Sequence, residues 1–227
     1  MHAVIFVGGI LRPGRAVTAA IEAADLILAA DSGAATALRY QQQPAMIIGD
    51  FDSLPPALLT MHMRESGRIL RVPAEKDETD TELAIRVALE QGAQHISLLG
   101  GFGGARFDHA VANLMLLADF PQVALTLIDG PLTCRFLHGP AQMEVLGQPD
   151  DLLSLFPFQG DVMGISTQGL YYPLHEDTLS FGKPRGISNK LTADQATIRF
   201  EQGLLLVMHT DIHELRSIED DGNEQVF

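Results

Sequence analysis

Short apolar runs that each end in turn residues alternate with helix-like segments over the first 130 or so residues. That alternation constrains the fold more than any other feature. The runs at 4–7, 26–30, 46–49, 69–72, 95–99 and 123–128 have the length of buried strands. Between them, 16–24, 33–42, 55–66, 79–91 and 108–119 read as helices. Strands interleaved with helices predict a mainly parallel sheet covered by helices. Thr79-Asp80-Thr81-Glu82 fits a capping box, with Leu83, Ala84, Val87 and Ala88 as the apolar stripe behind it. Asp108 is placed to cap the helix that carries Val111, Leu114, Met115 and Ala118.

The pattern changes near Gly130-Pro131. From Cys134 onward the apolar runs are short (134–137, 152–156, 161–166, 196–200 and 203–208), separated by Gly, Pro and Asp, and without a helical period. This predicts a small all-β sandwich or barrel. The expected organisation is an α/β domain over 1–132, with a mainly parallel sheet flanked by helices, followed by a β-sandwich domain over 133–227. The acidic end, 218–227, is expected to fray.

A hydrophobic fraction of 46% and a charged fraction of 19% describe an ordinary soluble globular chain. No apolar run approaches a membrane span, and the first strand follows the N-terminus without a basic leader, so a cytoplasmic protein with no membrane contact is expected. Cys134 is the only cysteine, which excludes an internal disulfide and a cysteine-built zinc site. A net charge of −14 argues against a nucleic-acid partner. It also opposes any phosphate-bearing ligand, a conflict that a divalent cation between carboxylates and phosphates resolves.

In open α/β sheets, ligands bind beyond the carboxyl ends of the strands. Four such ends carry chemistry here. Met46-Ile47-Ile48 opens into Gly49-Asp50-Phe51-Asp52-Ser53, and 26–30 opens into Asp31-Ser32-Gly33. In an extended segment Asp50 and Asp52 point the same way, and grouped hard oxygens suit Mg²⁺. Taken alone, the stretch is equally an ordinary turn. In Glu75–Asp80, Asp77 lies in the loop, Asp80 sits in the first helical turn where the dipole favours its charge, and Lys76 is a point-charge partner for phosphate. The plain alternative is a solvated acidic helix start. Gly100–Gly104, with Ala105, Arg106, Phe107, Asp108 and His109, follows a strand and opens a helix. Glycines such as Gly101 and Gly104 let the backbone approach a ligand, and helix N-terminal amides with Arg106 favour anions. The spacing is neither a Walker loop nor a dinucleotide fingerprint. Asn113, one turn on, is expected on the same side as His109, which could equally be a hydrogen-bonded structural histidine.

Taken together, Gly49–Ser53, Lys76–Asp80 and Arg106–His109 with Asn113 resemble, in order, the GDFDS, KDxTD and RxDH motifs of the thiamine pyrophosphokinase family. Gly169–Leu174 resembles its GLKYPL segment, Gly186-Ile187-Ser188-Asn189 its SN motif, and Gly203–Val207 its terminal strand, so the likeness spans about 4–208. Ser32 and Ala105 stand where the family has glycine. The chain has no Trp, whereas some relatives stack an aromatic residue on the thiamine rings, and Tyr172 is the local substitute.

The resemblance implies an ATP-binding α/β domain, a thiamine-binding β-domain and a homodimer with active sites at the subunit interface. It implies the conversion of ATP and thiamine to thiamine diphosphate and AMP. It also implies Asp50, Asp52 and Asp80 as Mg²⁺ ligands and, with Asp77, as the catalytic carboxylates. Asp31, Ser32, Lys76, Gly101, Gly104, Arg106, Asp108, His109 and Asn113 would serve ATP, and Tyr172, Ser188 and Asn189 would serve thiamine. Two other readings compete. One is a pyrophosphokinase for another heterocyclic alcohol, such as a hydroxymethylpterin, against which the GLYYPL and GISN segments stand. The other is a non-catalytic sensor of thiamine or a nucleotide, which would be free to lose Asp50, Asp52 and Asp80.

Overall fold

Ala3, Val4, Ile5 and Phe6 are wholly buried, and the strand they form, β1 (His2–Phe6), is paired on both sides in a parallel sheet. A computed structural model describes residues 1–52, 54–64, 67–104 and 106–224. Ser53 and Ala105, singled out in the motifs, lie outside the described residues. The chain divides into two units, Met1–Gly130 and Pro131–Phe227.

In the first unit β2 (Leu26–Ala30), β3 (Met46–Gly49) and β4 (Arg68–Arg71) follow one another on one side of β1. β5 (His95–Leu99) and β6 (Ala124–Asp129) lie on the other side, and all neighbours are parallel. Helices α1 (Arg15–Glu22), α2 (Gly33–Arg39), α3 (Pro56–Arg64), α4 (Asp80–Glu90) and α5 (Phe107–Asp119) make the crossovers. The chain builds outward from β1 to β4 and then returns to place β5 against β1. That reversal is a topological switch point, where the loops after β1 and β5 leave in opposite directions and open a crevice. Val4, Phe6, Ala29, Ile47 and Leu99 are buried together with Val17 of α1 and Ala34 and Ala37 of α2.

Two local expectations change. Thr79 does cap α4, its Oγ1 accepting the Glu82 N–H at 3.1 Å. Glu82 does not reach back, because its carboxylate pairs with Arg86 at 2.7 Å one turn on. Asp108 is not the cap of α5; Arg106 holds that position, without a side-chain cap bond.

The second unit is antiparallel, in the order β7 (Leu132–His138), β13 (Gln202–Thr210), β9 (Leu152–Gln168), β12 (Gln195–Phe200) and β8 (Ala141–Leu146). Short β10 (Asp177–Leu179) and β11 (Asn189–Lys190) also pair with β9. The runs 152–156 and 161–166 are one strand rather than two. Gln159 and Gly160, at φ +57 and +138, bend β9 without ending it. Its first half pairs with β13 and its last residues with β12. One core results, with Leu153, Leu155 and Val207 from one part meeting Val145, Ile198 and Phe200 from the other.

Of the stretch 218–227 expected to fray, 218–224 belong to a helix, α6 (Ile212–Glu224), and 225–227 lie outside the described residues. Asp211 accepts the Glu214 N–H at 3.0 Å, and buried Asp151 accepts the Ile212 N–H at 3.1 Å, so its start is tied down. Ile212, Leu215 and Ile218 are half-buried at three-residue spacing. Among the described residues no helix is long and apolar enough to cross a membrane.

Candidate active site

The loops after β1, β2 and β5, with the first turns of α4 and α5, enclose a cleft of about 600 Å³ in the first unit. Glycine lines it because backbones meet there. A Cβ on Gly9 would stand 2.0 Å from the Gly100 carbonyl oxygen, and one on Gly103 would stand 2.1 Å from that of Ile10. No side chain fits between these loops. Ser32 reaches the same place, its Oγ 2.2 Å from where a Cβ on Gly8 would be. Asn113, buried on α5, donates from Nδ2 to the Gly101 carbonyl at 3.0 Å and fixes the glycine loop. Gly8 and Gly9 are the residues the sequence reading misses. Their signal was available, since they follow the apolar run 4–7 as Asp31 and Asp50 follow theirs.

Asp31 after β2, Asp50 after β3 and Asp80 at the start of α4 each bring one carboxylate oxygen to a common point. These three oxygens lie within 4.8 Å of one another, on half-buried residues. The β2–β3 register, with Ala30 opposite Ile48, puts the two strand ends side by side, and Asp31 N–H donates to the Ile48 carbonyl at 2.8 Å. The Thr79 cap fixes Asp80 in the first turn of α4. Burial lifts the Asp80 carboxyl above the ordinary carboxylate range. Lys76 opposes this from 3.0 Å, while the charges of Asp31 and Asp50 add to it. Lys76 Nζ also donates to the Pro73 carbonyl. One ammonium among three carboxylates leaves the group net negative. An all-oxygen donor set of this kind fits Mg²⁺.

Asp52 is not in this group, and Asp31 takes the third place. Phe51 has φ +68, so 50–52 is not extended and the expected alternation of side chains fails. Asp52 donates its backbone N–H to Asp50 Oδ1 at 3.1 Å, and its own side chain is exposed. Asp77 is likewise exposed and outside the group.

At the mouth of the cleft Arg106 pairs with Asp108 at 2.6 Å, with side chains 69% and 63% exposed. The guanidinium holds the Asp108 carboxyl down at about 2. His109, exposed, and Asn113, buried, stand one turn apart on α5 and both line the cleft, as expected.

In the second unit the structure joins Asn189 to Tyr172. Tyr172 N–H donates to Asn189 Oδ1 at 3.0 Å, Asn189 Nδ2 donates to the Tyr172 carbonyl at 2.7 Å, and Lys190 N–H donates to the same Oδ1. This amide is buried and engaged with main chain, so it holds Tyr172 in place. Tyr172 is 67% exposed, and its ring meets that of Tyr171 edge-on at 4.8 Å. Ser188, exposed and at φ +56, donates its N–H to Ser154 Oγ.

Residues 17–128 match the family model described as thiamin pyrophosphokinase, catalytic domain, and residues 143–205 match that of the vitamin B1 binding domain. The chain belongs to the thiamin pyrophosphokinase family. Asp31, Asp50 and Asp80 fall within the catalytic match, and Tyr172, Ser188 and Asn189 within the vitamin B1 binding match. Thiamine pyrophosphokinase of Bacillus subtilis is 28% identical over 188 residues, covering 82% of this chain and 87% of that protein. Thiamin pyrophosphokinase 1 of Caenorhabditis elegans is 27% identical over 176 residues, covering 73% and 70%. The crystal structure of the Bacillus subtilis protein superposes with a TM-score of 0.82 at 27% identity, over 93% of this chain and 99% of that one. Yeast thiamin pyrophosphokinase shares the fold at a TM-score of 0.75 and 17% identity, over 94% and 87%.

Proposed function

We propose that this protein moves the pyrophosphoryl group of ATP to the hydroxyl of thiamine, giving thiamine diphosphate and AMP. The observation that carries the reading is the meeting of Asp31, Asp50 and Asp80 within 4.8 Å beside a glycine-lined cleft, in a chain of this family. Mg²⁺ is the ion that the donor set fits, and these three carboxylates would hold it. When bound, it would neutralise phosphate charge and make the β-phosphorus easier to attack.

The chain's own part is positioning and charge neutralisation, with no covalent bond to the protein. Gly8, Gly9, Gly101 and Gly104 leave bare backbone for the phosphates, and Ser32 and the first turn of α5 add donors. Lys76 supplies a compact positive charge beside Asp80. Arg106, Asp108 and His109 line the entrance, and Asn113 acts through the Gly101 carbonyl. A carboxylate of the same rim, with exposed Asp52 and Asp77 available besides the three, accepts the hydroxyl proton. Thiamine falls to the second unit. Its cationic thiazolium suits the face of Tyr172, and Ser188 offers a hydroxyl. The working form is a cytoplasmic homodimer with active sites at the subunit interface, as the family resemblance implies.

The test is substrate choice. With ATP and Mg²⁺, thiamine should be turned over and a hydroxymethylpterin should not. Turnover of the pterin alone would assign the chain to a different heterocyclic alcohol, and binding of thiamine without turnover would make it a sensor.

A further inference from the structure

We propose that Arg71 is a positioning residue that aims the Asp50 carboxylate at the cation site. The inference rests on the reading of Asp50 as a metal ligand. Arg71 closes β4 directly opposite Gly49 in the β3–β4 ladder, so its side chain leaves the sheet beside the residue that precedes Asp50. Its Nη1 donates to the Asp50 carbonyl at 2.9 Å. The same guanidinium lies 4.9 Å from the centroid of the Phe51 ring.

Phe51 is 5% exposed and packs with Ile47 and Leu54 in the core of the first unit. Its backbone nevertheless takes φ +68, a region that a bulky side chain disfavours. The dipeptide is therefore constrained at three points. The Phe51 ring is anchored in the core, the Asp50 carbonyl is held by Arg71, and Asp50 Oδ1 accepts the Asp52 N–H. Three half-buried carboxylates within 4.8 Å repel one another, so a loosely held Asp50 loop would relax away from Asp31 and Asp80. A clamp from the neighbouring strand prevents that before any cation arrives. Arginine suits the task because one planar group both donates in its plane and stacks its face on a ring. Lysine offers a point charge and cannot do both in one geometry.

The test uses the full chain with Arg71→Met and Arg71→Lys, and reads metal binding without substrates. Mn²⁺, which takes the same oxygen ligands, is titrated by paramagnetic resonance of the free ion, well below the unfolding temperature. Arg71→Met should weaken Mn²⁺ binding by about tenfold or more, as loss of an outer partner of a metal ligand does. The Mg²⁺ half-saturation of turnover should rise in parallel while the thiamine KM stays unchanged. Arg71→Lys should recover part of the affinity. A purely structural role would lower the unfolding temperature and leave Mn²⁺ affinity intact, and that result overturns the proposal. If Arg71→Met does not fold, Arg71→Lys decides: intermediate affinity supports the clamp and wild-type affinity refutes it. A wild-type chain that binds no Mn²⁺ would overturn the metal reading, and this inference with it.

Discussion

Asp50→Asn should make the metal-free protein more stable and the Mg²⁺-loaded protein less so. Asparagine keeps the shape, and its Oδ1 can still accept the Asp52 N–H that Asp50 accepts at 3.1 Å. What it removes is a charge within 4.8 Å of the oxygens of Asp31 and Asp80. Two unit charges about 5 Å apart repel by roughly 3 kcal/mol at an effective dielectric near 20, and by less than about 1 kcal/mol in bulk water. These groups are half-buried, so a net relief of about 1–2 kcal/mol is reasonable. For a chain of this length that is a rise of about 2–8 °C in the unfolding temperature. Excess Mg²⁺ should reverse the order, because an ion that binds only the folded state adds stability that the variant largely forfeits. Thermal unfolding followed by circular dichroism, with chelator and then with Mg²⁺, reads both effects.

The pH dependence has a definite sign. Burial raises the Asp80 carboxyl above its ordinary 3.8, so folding favours its protonated form. The stability it contributes is therefore fully present at low pH and is lost as pH rises through the raised value. The advantage of Asp50→Asn should accordingly be full at neutral pH and shrink on acidification through that range. A variant less stable than wild type in chelator, with an unchanged Mg²⁺ response, would refute the reasoning.

Two other outcomes are expected. Asn113→Ala removes the buried donor to the Gly101 carbonyl and should cost about 1–3 kcal/mol of stability, seen in denaturant unfolding. Because it loosens the glycine loop, steady-state kinetics should show a higher ATP KM with the thiamine KM unchanged. Asn189→Ala removes both bonds to the Tyr172 main chain and should raise the thiamine KM about tenfold or more while the ATP KM stays nearly constant. A change in the ATP KM alone would contradict the assignment of Tyr172 to thiamine.

How much of this was legible in the sequence depended on whether a feature was local. The parallel strands of the first unit were readable because each is a short apolar run closed by turn residues. Asp50 and Asp80 were readable because one follows such a run and the other sits in a capped first turn. Asp31 was seen as an acid at a strand end, but its place beside Asp50 needed the β2–β3 register. That Asp52 stands outside the carboxylate group is not legible, because the positive φ at Phe51 leaves no mark in composition. Phe51 takes it because its ring is held in the core, which is a tertiary fact. The same holds for Asn189, whose amide seemed free for a ligand until Tyr172 came beside it across seventeen residues. The helix α6 was missed because its apolar positions are few and its start depends on Asp151, far back in the chain.

The central claim is that the reaction moves two phosphorus atoms together. Its most direct measurement uses ATP labelled at the β-phosphorus, with thiamine and Mg²⁺, and follows the label by chromatography. The label should appear in thiamine diphosphate, AMP should form in equal amount, and thiamine monophosphate should never accumulate. Label retained in ADP, with thiamine monophosphate as the product, would contradict it.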